Sequence, residues 1–254
     1  MPLQRSMRIS HEHARLLRSM EVIGRVSDTD RALVTSLPMR IRQFGEDTDL
    51  VREGDRPNEC CLLVDGLACR YKLLAEGQRQ ILSFHLAGDV PDLQSLHLGV
   101  MDHSLGTLTP GSAAYIPHAA LGEVTDKSAS LTAIFWRITL IDAAIFREWL
   151  AGVGRRTAHQ RVAHLICEFF VRMRALGLAD GKAMDLALTQ AEIADALGLS
   201  TVHVNRVLQD LRRDGLIASE GKRMLIKDWP RLKQVGDFDP TYLHLLPDAL
   251  SRAD

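Results

Sequence analysis

The chain has 254 residues (28.3 kDa), 46% of them hydrophobic and 25% charged, with a formal net charge of −1. That balance excludes disordered, collagen-like and low-complexity chains and leaves one or two globular domains. Charge is uneven: residues 1–150 carry a net −3, residues 151–233 a net +5 and the last 21 a net −3, so a basic segment sits inside a neutral chain and hints at a polyanion partner.

The longest apolar-rich stretch, Leu131–Leu150, is broken by Arg137, Asp142, Arg147 and Glu148, so no membrane span is expected. Charges from Arg5 to Arg18 interrupt any signal-peptide core, and the four cysteines form no disulfide framework. A cytoplasmic protein is the expectation.

Residues 10–36 read as helical, with Leu16, Leu17, Met20, Ile23 and Val26 at helical spacing and a restart at Ser27-Asp28. From Arg40 to Pro117, short apolar runs alternate with turn residues every 8–12 positions: Asp49–Arg52, Cys60–Asp65, Leu67–Leu74, Arg79–His85, Leu105–Thr109 and Ala113–Ile116. That pattern predicts an antiparallel sandwich or barrel, with Asp65-Gly66 as a hairpin turn. Cys60 and Cys61 are neighbours in a strand and should face opposite sides.

After Pro117 the period is helical again, with a start at Ser128-Ala-Ser130. Leu131, Ile134, Phe135, Ile138, Ile141, Ile145 and Trp149 form one narrow apolar seam, which suits a coiled-coil dimer contact. Ala151-Gly152-Val153-Gly154 is the expected hinge. A further helix carries Val162, Leu165, Ile166, Phe169, Phe170, Met173 and Leu176 on one face and ends at Gly177.

Residues 186–217 hold the most specific pattern. Thr189 and Glu192 make a capping box, Ile193, Ala194 and Leu197 face inward, and Gly198 ends a short helix. Ser200 caps a second helix, in which Val204, Val207, Leu208 and Leu211 face inward and Thr201, Val202, Asn205, Arg206 and Gln209 face out. Helix, glycine turn and capped helix make a helix-turn-helix. Arg can bond guanine bidentately and Asn adenine, so the outward face suits duplex DNA. A small hairpin follows, Leu216–Ala218 and Arg223–Ile226, with Lys222 and Arg223 at a tip suited to phosphate. Asp228-Trp229-Pro230 starts a last short helix.

With these motifs the chain resembles the Crp/Fnr family of bacterial transcription regulators from about Leu37 to Trp229. Leu50-Val-Arg-Glu-Gly-Asp55, Val64-Asp-Gly-Leu67, Gly77-Gln-Arg-Gln-Ile-Leu82 and Gly88-Asp89 match the glycine-bearing turns of the family's cyclic-nucleotide-binding-type β-roll. The resemblance implies an α+β chain in three parts. Residues 1–127 hold N-terminal helices and an antiparallel, jelly-roll-like β-roll sensor. Residues 128–154 hold a dimerisation helix and hinge, and residues 155–254 a winged helix-turn-helix with a C-terminal tail. It places base reading on Val202, Asn205 and Arg206, and phosphate contact on Thr189, Gln190, Ser200, Thr201, His203, Lys222 and Arg223. It implies a homodimer on a near-palindromic site, with RNA polymerase as a further partner.

Gly88 and Asp89, with Asp102, His103 and Ser104, fall where family members that bind cyclic AMP hold the ribose and the cyclic phosphate. His103 stands where an Arg is expected, and Asp102 beside it would repel a phosphate, so cyclic nucleotide binding is not expected and the effector is an unidentified small molecule. Cys60, Cys61, Cys69 and Cys167 lack cluster-ligand spacing, and lone histidines such as His11, His13, His85, His97 and His103 are ordinary, so neither an iron–sulfur cluster nor haem is expected. No metal site is expected.

Neither the G-x-S-x-G, H-E-x-x-H and phosphate-loop motifs nor a dinucleotide-binding glycine run occurs, so no enzyme is expected. The remaining alternative is a cyclic-nucleotide-type module that regulates a protein partner without DNA.

Overall fold

The structure is a computed structural model that describes residues 9–221 and 223–251. The chain starts with α1 (His11–Glu21), which buries Leu16, Leu17 and Met20, and α2 (Asp28–Thr35). Ser27 caps α2, and the Asp30 carboxylate accepts from the hydroxyls of Ser27, Ser128 and Ser130 at 2.6–2.7 Å. These donors hold the Asp30 carboxyl down to about 2 and tie α2 to the start of the long helix further on.

The β-rich part contains β1 (Arg40–Phe44), β2 (Asp49–Val51), β3 (Glu59–Asp65), β4 (Ala68–Leu73), β5 (Arg79–His85), the short α3 (Ser95–Leu98), β6 (Ser104–Thr107) and β7 (Gly111–Pro117). They form two antiparallel sheets, ordered β1-β7-β3 and β2-β6-β4-β5. β3 is buried on both faces: Cys60, Leu62 and Val64 pack with α1, while Cys61 and Leu63 fill the interior of the roll. The two adjacent cysteines therefore do face opposite ways.

Asp65-Gly66 is not a hairpin turn. β3 and β4 lie in different sheets, so the chain crosses from one sheet to the other there, and the true hairpin joins β4 to β5 around Glu76-Gly77.

Three helices follow: α4 (His118–Lys127), α5 (Ala129–Arg155) and α6 (Ala158–Leu176). Ser128 caps α5 by accepting from the Leu131 amide. Gly152 and Gly154 do not break the helix as expected. α5 runs through both, and the chain turns at Arg156-Thr157, where Thr157 and Gln160 make the capping box of α6.

The apolar seam read from the sequence also needs correction. Leu131, Ile134, Phe135 and Ile145 are buried within this chain, and Ile138, Ile141 and Trp149 pack against the same cores. These residues are the inward face of α5. A second stripe, at alternating steps of four and three, is left outside: Ala129, Ala133, Trp136, Leu140, Ala143, Arg147, Leu150 and Gly154. Trp136 is 67% exposed, Leu140 54% and Leu150 74%.

The two stripes make α5 the one described helix long and apolar enough, by length and composition, to cross a membrane, with a window of mean hydropathy 1.5. The Arg70–Asp142 ion pair at 2.7 Å, midway along α5, instead fixes one face against β4.

The C-terminal part holds β8 (Ala179–Asp180), β9 (Ala183–Asp185), α7 (Gln190–Leu197), α8 (Thr201–Arg213), β10 (Ile217–Glu220), β11 (Arg223–Ile226) and α9 (Trp229–Gly236), with strand order β10-β11-β9-β8. The wing hairpin is thus the edge of a four-stranded sheet.

Beyond α9, a 3-10 turn (Pro240–Leu243) and α10 (Pro247–Leu250) double back over the molecule. Tyr242 donates to Glu168 of α6 at 2.8 Å, Arg137 of α5 donates to the His244 carbonyl, and the Leu246 amide donates to the Val22 carbonyl after α1. The tail is a strap that joins α6, α5 and the N-terminal helices.

Candidate nucleic-acid interface

The local chemistry that positions α7 and α8 is complete. The Thr189 hydroxyl accepts from the Glu192 amide at 3.2 Å, and the Glu192 carboxylate accepts from the Thr189 amide at 2.6 Å. Gly198 adopts φ +61°, the left-handed conformation that lets α7 stop and α8 start at an angle. Ser200 caps α8 through the His203 amide at 3.3 Å. Val204, Val207, Leu208 and Leu211 are buried against α6 and the wing sheet.

That packing leaves the other face of α8 to solvent. Thr201, Val202, His203, Arg206 and Gln209 are exposed, and Asn205 is half-buried. Val202, at 68% exposure, is an apolar side chain with nothing over it. Arg206 has no ion pair or hydrogen bond among the described residues. By contrast Arg212 is tied to Ser219 of the wing, and Arg213 to Asp210 and Asp214. Asn205 lies between two glutamines: it donates to Gln190 Oε1 at 3.1 Å and accepts from Gln209 Nε2 at 2.8 Å.

Thr189 and Gln190 stand at the start of α7, and Ser200, Thr201 and His203 at the start of α8; each helix N-terminus favours an anion such as phosphate. Arg223 at the wing pairs at 3.3 Å with Asp180, which is 92% exposed; such a pair is weak and readily exchanged for a phosphate. Lys222 lies outside the described residues.

The residues expected to form an effector pocket fall into two groups. Gly88 and Asp89 line a cleft between α1, α5, α6 and the tail, and Asp102, His103 and Ser104 do not line it. A Cβ on Gly88 would stand 3.1 Å from the Arg15 carbonyl, so that glycine admits the close approach of α1. The Asp89 carboxylate accepts from the Leu86 amide and from Arg172 of α6, both at 2.9 Å. It is an interdomain ion pair. Asp102 bonds His103 Nδ1 at 2.6 Å, and Ser104 accepts from the Glu53 amide. Burial, reinforced by the Arg70 charge, lowers the His103 pKa and keeps its ring neutral.

The polar centre of the roll is instead made by two residues that sequence reasoning missed. Arg70 is almost fully buried and donates to the Pro91 carbonyl and to Asp142. Asp92 is fully buried; one carboxylate oxygen accepts from the Cys61 amide at 2.8 Å, and the other has no hydrogen-bond partner among the described residues. Burial pushes the Asp92 carboxyl up to about 7. The signal for Arg70 was present: in β4, Ala68, Arg70 and Lys72 alternate in one phase, so a charge falls on the side where Ala68 is buried.

Burial also raises the pKa of all four thiols, Cys69 to about 12, and holds them protonated.

Comparison with known proteins places these parts. A Crp-like helix-turn-helix domain matches residues 160–235, and a cyclic nucleotide-binding domain matches residues 41–128. The transcriptional activator protein FnrL of Cereibacter sphaeroides is 29% identical over 204 residues, 77% of this chain and 80% of its own length. The transcriptional activator protein anr of Pseudomonas aeruginosa is 26% identical, over 70% of this chain and 73% of its own. The structure of FixK2 from Bradyrhizobium japonicum superposes with a TM-score of 0.71 at 25% identity, covering 78% of this chain and 98% of that one. The exposed face of α8 and these likenesses agree: this chain belongs to the Crp/Fnr family and is a DNA-binding transcription regulator.

Proposed function

We propose that the chain acts as a homodimer on a near-palindromic duplex site, binding DNA rather than catalysing a reaction. The two copies meet along the exposed stripe of α5 in place of the seam expected from the sequence. Heptad spacing, large exposed side chains at Trp136, Leu140 and Leu150, and small ones at Ala133 and Ala143 suit a parallel helix pair. Each recognition helix enters one major groove. Arg206 reads a guanine, Val202 packs on a thymine methyl and Asn205 reads a further base, while the α7 and α8 termini and the wing hold phosphates. Half-sites then lie about one helical turn apart.

The relatives' names as activators support recruitment of RNA polymerase by the bound dimer. The β-roll responds to an unidentified small molecule. A cyclic phosphate is disfavoured, because neutral His103 beside Asp102 offers no guanidinium fork.

The observation that carries this reading is the free guanidinium of Arg206 beside the uncovered Val202 on one open helix face. Fragment selection from a randomised duplex pool, with a salt titration of the selected site, tests it. Arg206→Ala should flatten the preference at one position per half-site by roughly ten- to a hundredfold, the worth of one bidentate contact. Wild-type binding that is sequence-blind and salt-independent would contradict the proposal.

A further inference from the structure

Resting on the proposed base-reading role of α8, we infer that Gln190 and Gln209 are positioning residues that lock the Asn205 amide into a form matched to adenine. The observation is a chain of three amides across two helices. Gln190 is the first residue of α7, Asn205 lies in the second turn of α8, and Gln209 lies one turn further on. Asn205 Nδ2 donates to Gln190 Oε1 at 3.1 Å, and Gln209 Nε2 donates to Asn205 Oδ1 at 2.8 Å.

A side-chain amide offers two N–H donors and two acceptor positions on its oxygen. Here each glutamine uses one, so Asn205 retains one donor and one acceptor. Adenine presents the complementary pair in the major groove, N7 as acceptor and N6–H as donor. The match holds for the orientation seen: if all three amides turned over together, Asn205 would still keep one of each, but donor and acceptor would exchange places and no longer meet N7 and N6–H of the same adenine.

An unclamped asparagine on a helix surface samples several rotamers and both amide orientations, and must lose that freedom on binding. The two glutamines hold the rotamer and permit no turnover of the Asn205 amide on its own, so its free edge is preorganised. Gln190 can do this because the capping box fixes the start of α7. Gln209 can because i and i+4 share one helix face. Neither glutamine needs to touch a base.

The test is fragment selection from a randomised duplex pool with the full chain at fixed salt, alongside affinity for non-specific DNA. Wild-type protein should select adenine at one step of each half-site, and Asn205→Ala should erase that preference. Gln190→Ala and Gln209→Leu should each weaken it about three- to tenfold at that step, and Gln209→Leu should do so with non-specific affinity unchanged. Gln209→Glu should weaken it at least as much as Gln209→Leu, because a carboxylate can only accept: it holds the Asn205 amide turned over, and the donor and acceptor offered to adenine exchange places.

Retention of the full adenine preference in both Gln190→Ala and Gln209→Leu, with its loss in Asn205→Ala, overturns the inference. Selection of another base at that step overturns it too. A selected site unchanged by Asn205→Ala removes the base-reading role of Asn205 itself, a different failure seen in a different variant.

Discussion

Asp92 makes the interior of the β-roll sensitive to pH in an unusual direction. Its carboxyl is pushed up to about 7 by burial, against an ordinary 3.8. Between those values the folded chain holds a proton that the unfolded chain has released, so stability falls as pH rises across that window. The difference of about 3 units sets an upper limit of about 4 kcal/mol at pH 8. His85 and His103 work the other way: burial lowers both, so they are charged in the unfolded chain first, and stability rises with pH through the ordinary histidine range. Asp92→Asn keeps the acceptor for the Cys61 amide and removes the ionisation. Urea midpoints of wild type and variant should therefore lie closest below about pH 4 and separate progressively up to about pH 8, the variant becoming the more stable. A constant gap at all pH values would show that folding does not raise the Asp92 carboxyl. Asp92 was not legible in the sequence, because its burial depends on which elements close over it, whereas Arg70 left a signal in the alternation of β4. Asp102, His103 and Ser104 drew attention as adjacent polar residues, yet their side chains serve local bonds.

At the scale of elements, α5 shows what a hydrophobic period can and cannot specify. Its helical spacing was plain, but the helix carries two apolar stripes, and the period does not say which one the chain covers itself. The inward stripe lies against the roll, α1 and α6, and the outward stripe holds Trp136, Leu140 and Leu150. Leu140→Asp with Leu150→Asp should leave the folded monomer intact, since both positions are exposed, and convert dimer to monomer in sedimentation. Ile145→Ala should do the opposite, costing about 2–4 kcal/mol in urea unfolding while the dimer persists. Dimers that survive the double aspartate change would move the interface elsewhere. Elements fixed by local chemistry were legible for a corresponding reason: the capping boxes at Ser27 and Thr189, the Ser200 cap and the glycine stop at Gly198 all act within a few residues. β1 was not legible as a strand. It reads Arg-Ile-Arg-Gln-Phe, almost wholly exposed, and is defined only by its pairing to the distant β7. The sheet crossing at Asp65-Gly66 was misread on the same ground, since a turn signal does not reveal whether the next strand stays in the sheet.

Over the whole molecule, the helix-turn-helix part is held to the β-roll and its flanking helices at three places. Arg79 of β5 pairs with Asp195 of α7 at 2.9 Å, and Gln80 donates to the Ala196 carbonyl. Arg172 of α6 pairs with Asp89 and with fully buried Glu168, which also accepts from Trp149 and from Tyr242 of the strap. Leu243 and Leu245 of the strap close the cleft over α5. These contacts fix where α8 stands relative to α5, and in a dimer they fix the separation of two recognition helices. Once one helix is bound, the second half-site is met at an effective concentration set by how narrowly that separation is distributed. Loosening the attachment therefore penalises the second contact and leaves the first unchanged. Arg79→Ala with Gln80→Ala removes the contact to α7 without touching the buried network. Each of these groups is partly exposed, so the cost in global stability should stay near 1 kcal/mol. Affinity for a complete two-half-site duplex should fall about three- to tenfold, affinity for an isolated half-site should not change, and amide exchange should quicken in α7. Equal losses on both duplexes would mean that the β5 contact shapes the reading surface itself and leaves the spacing between copies to α5 and the strap.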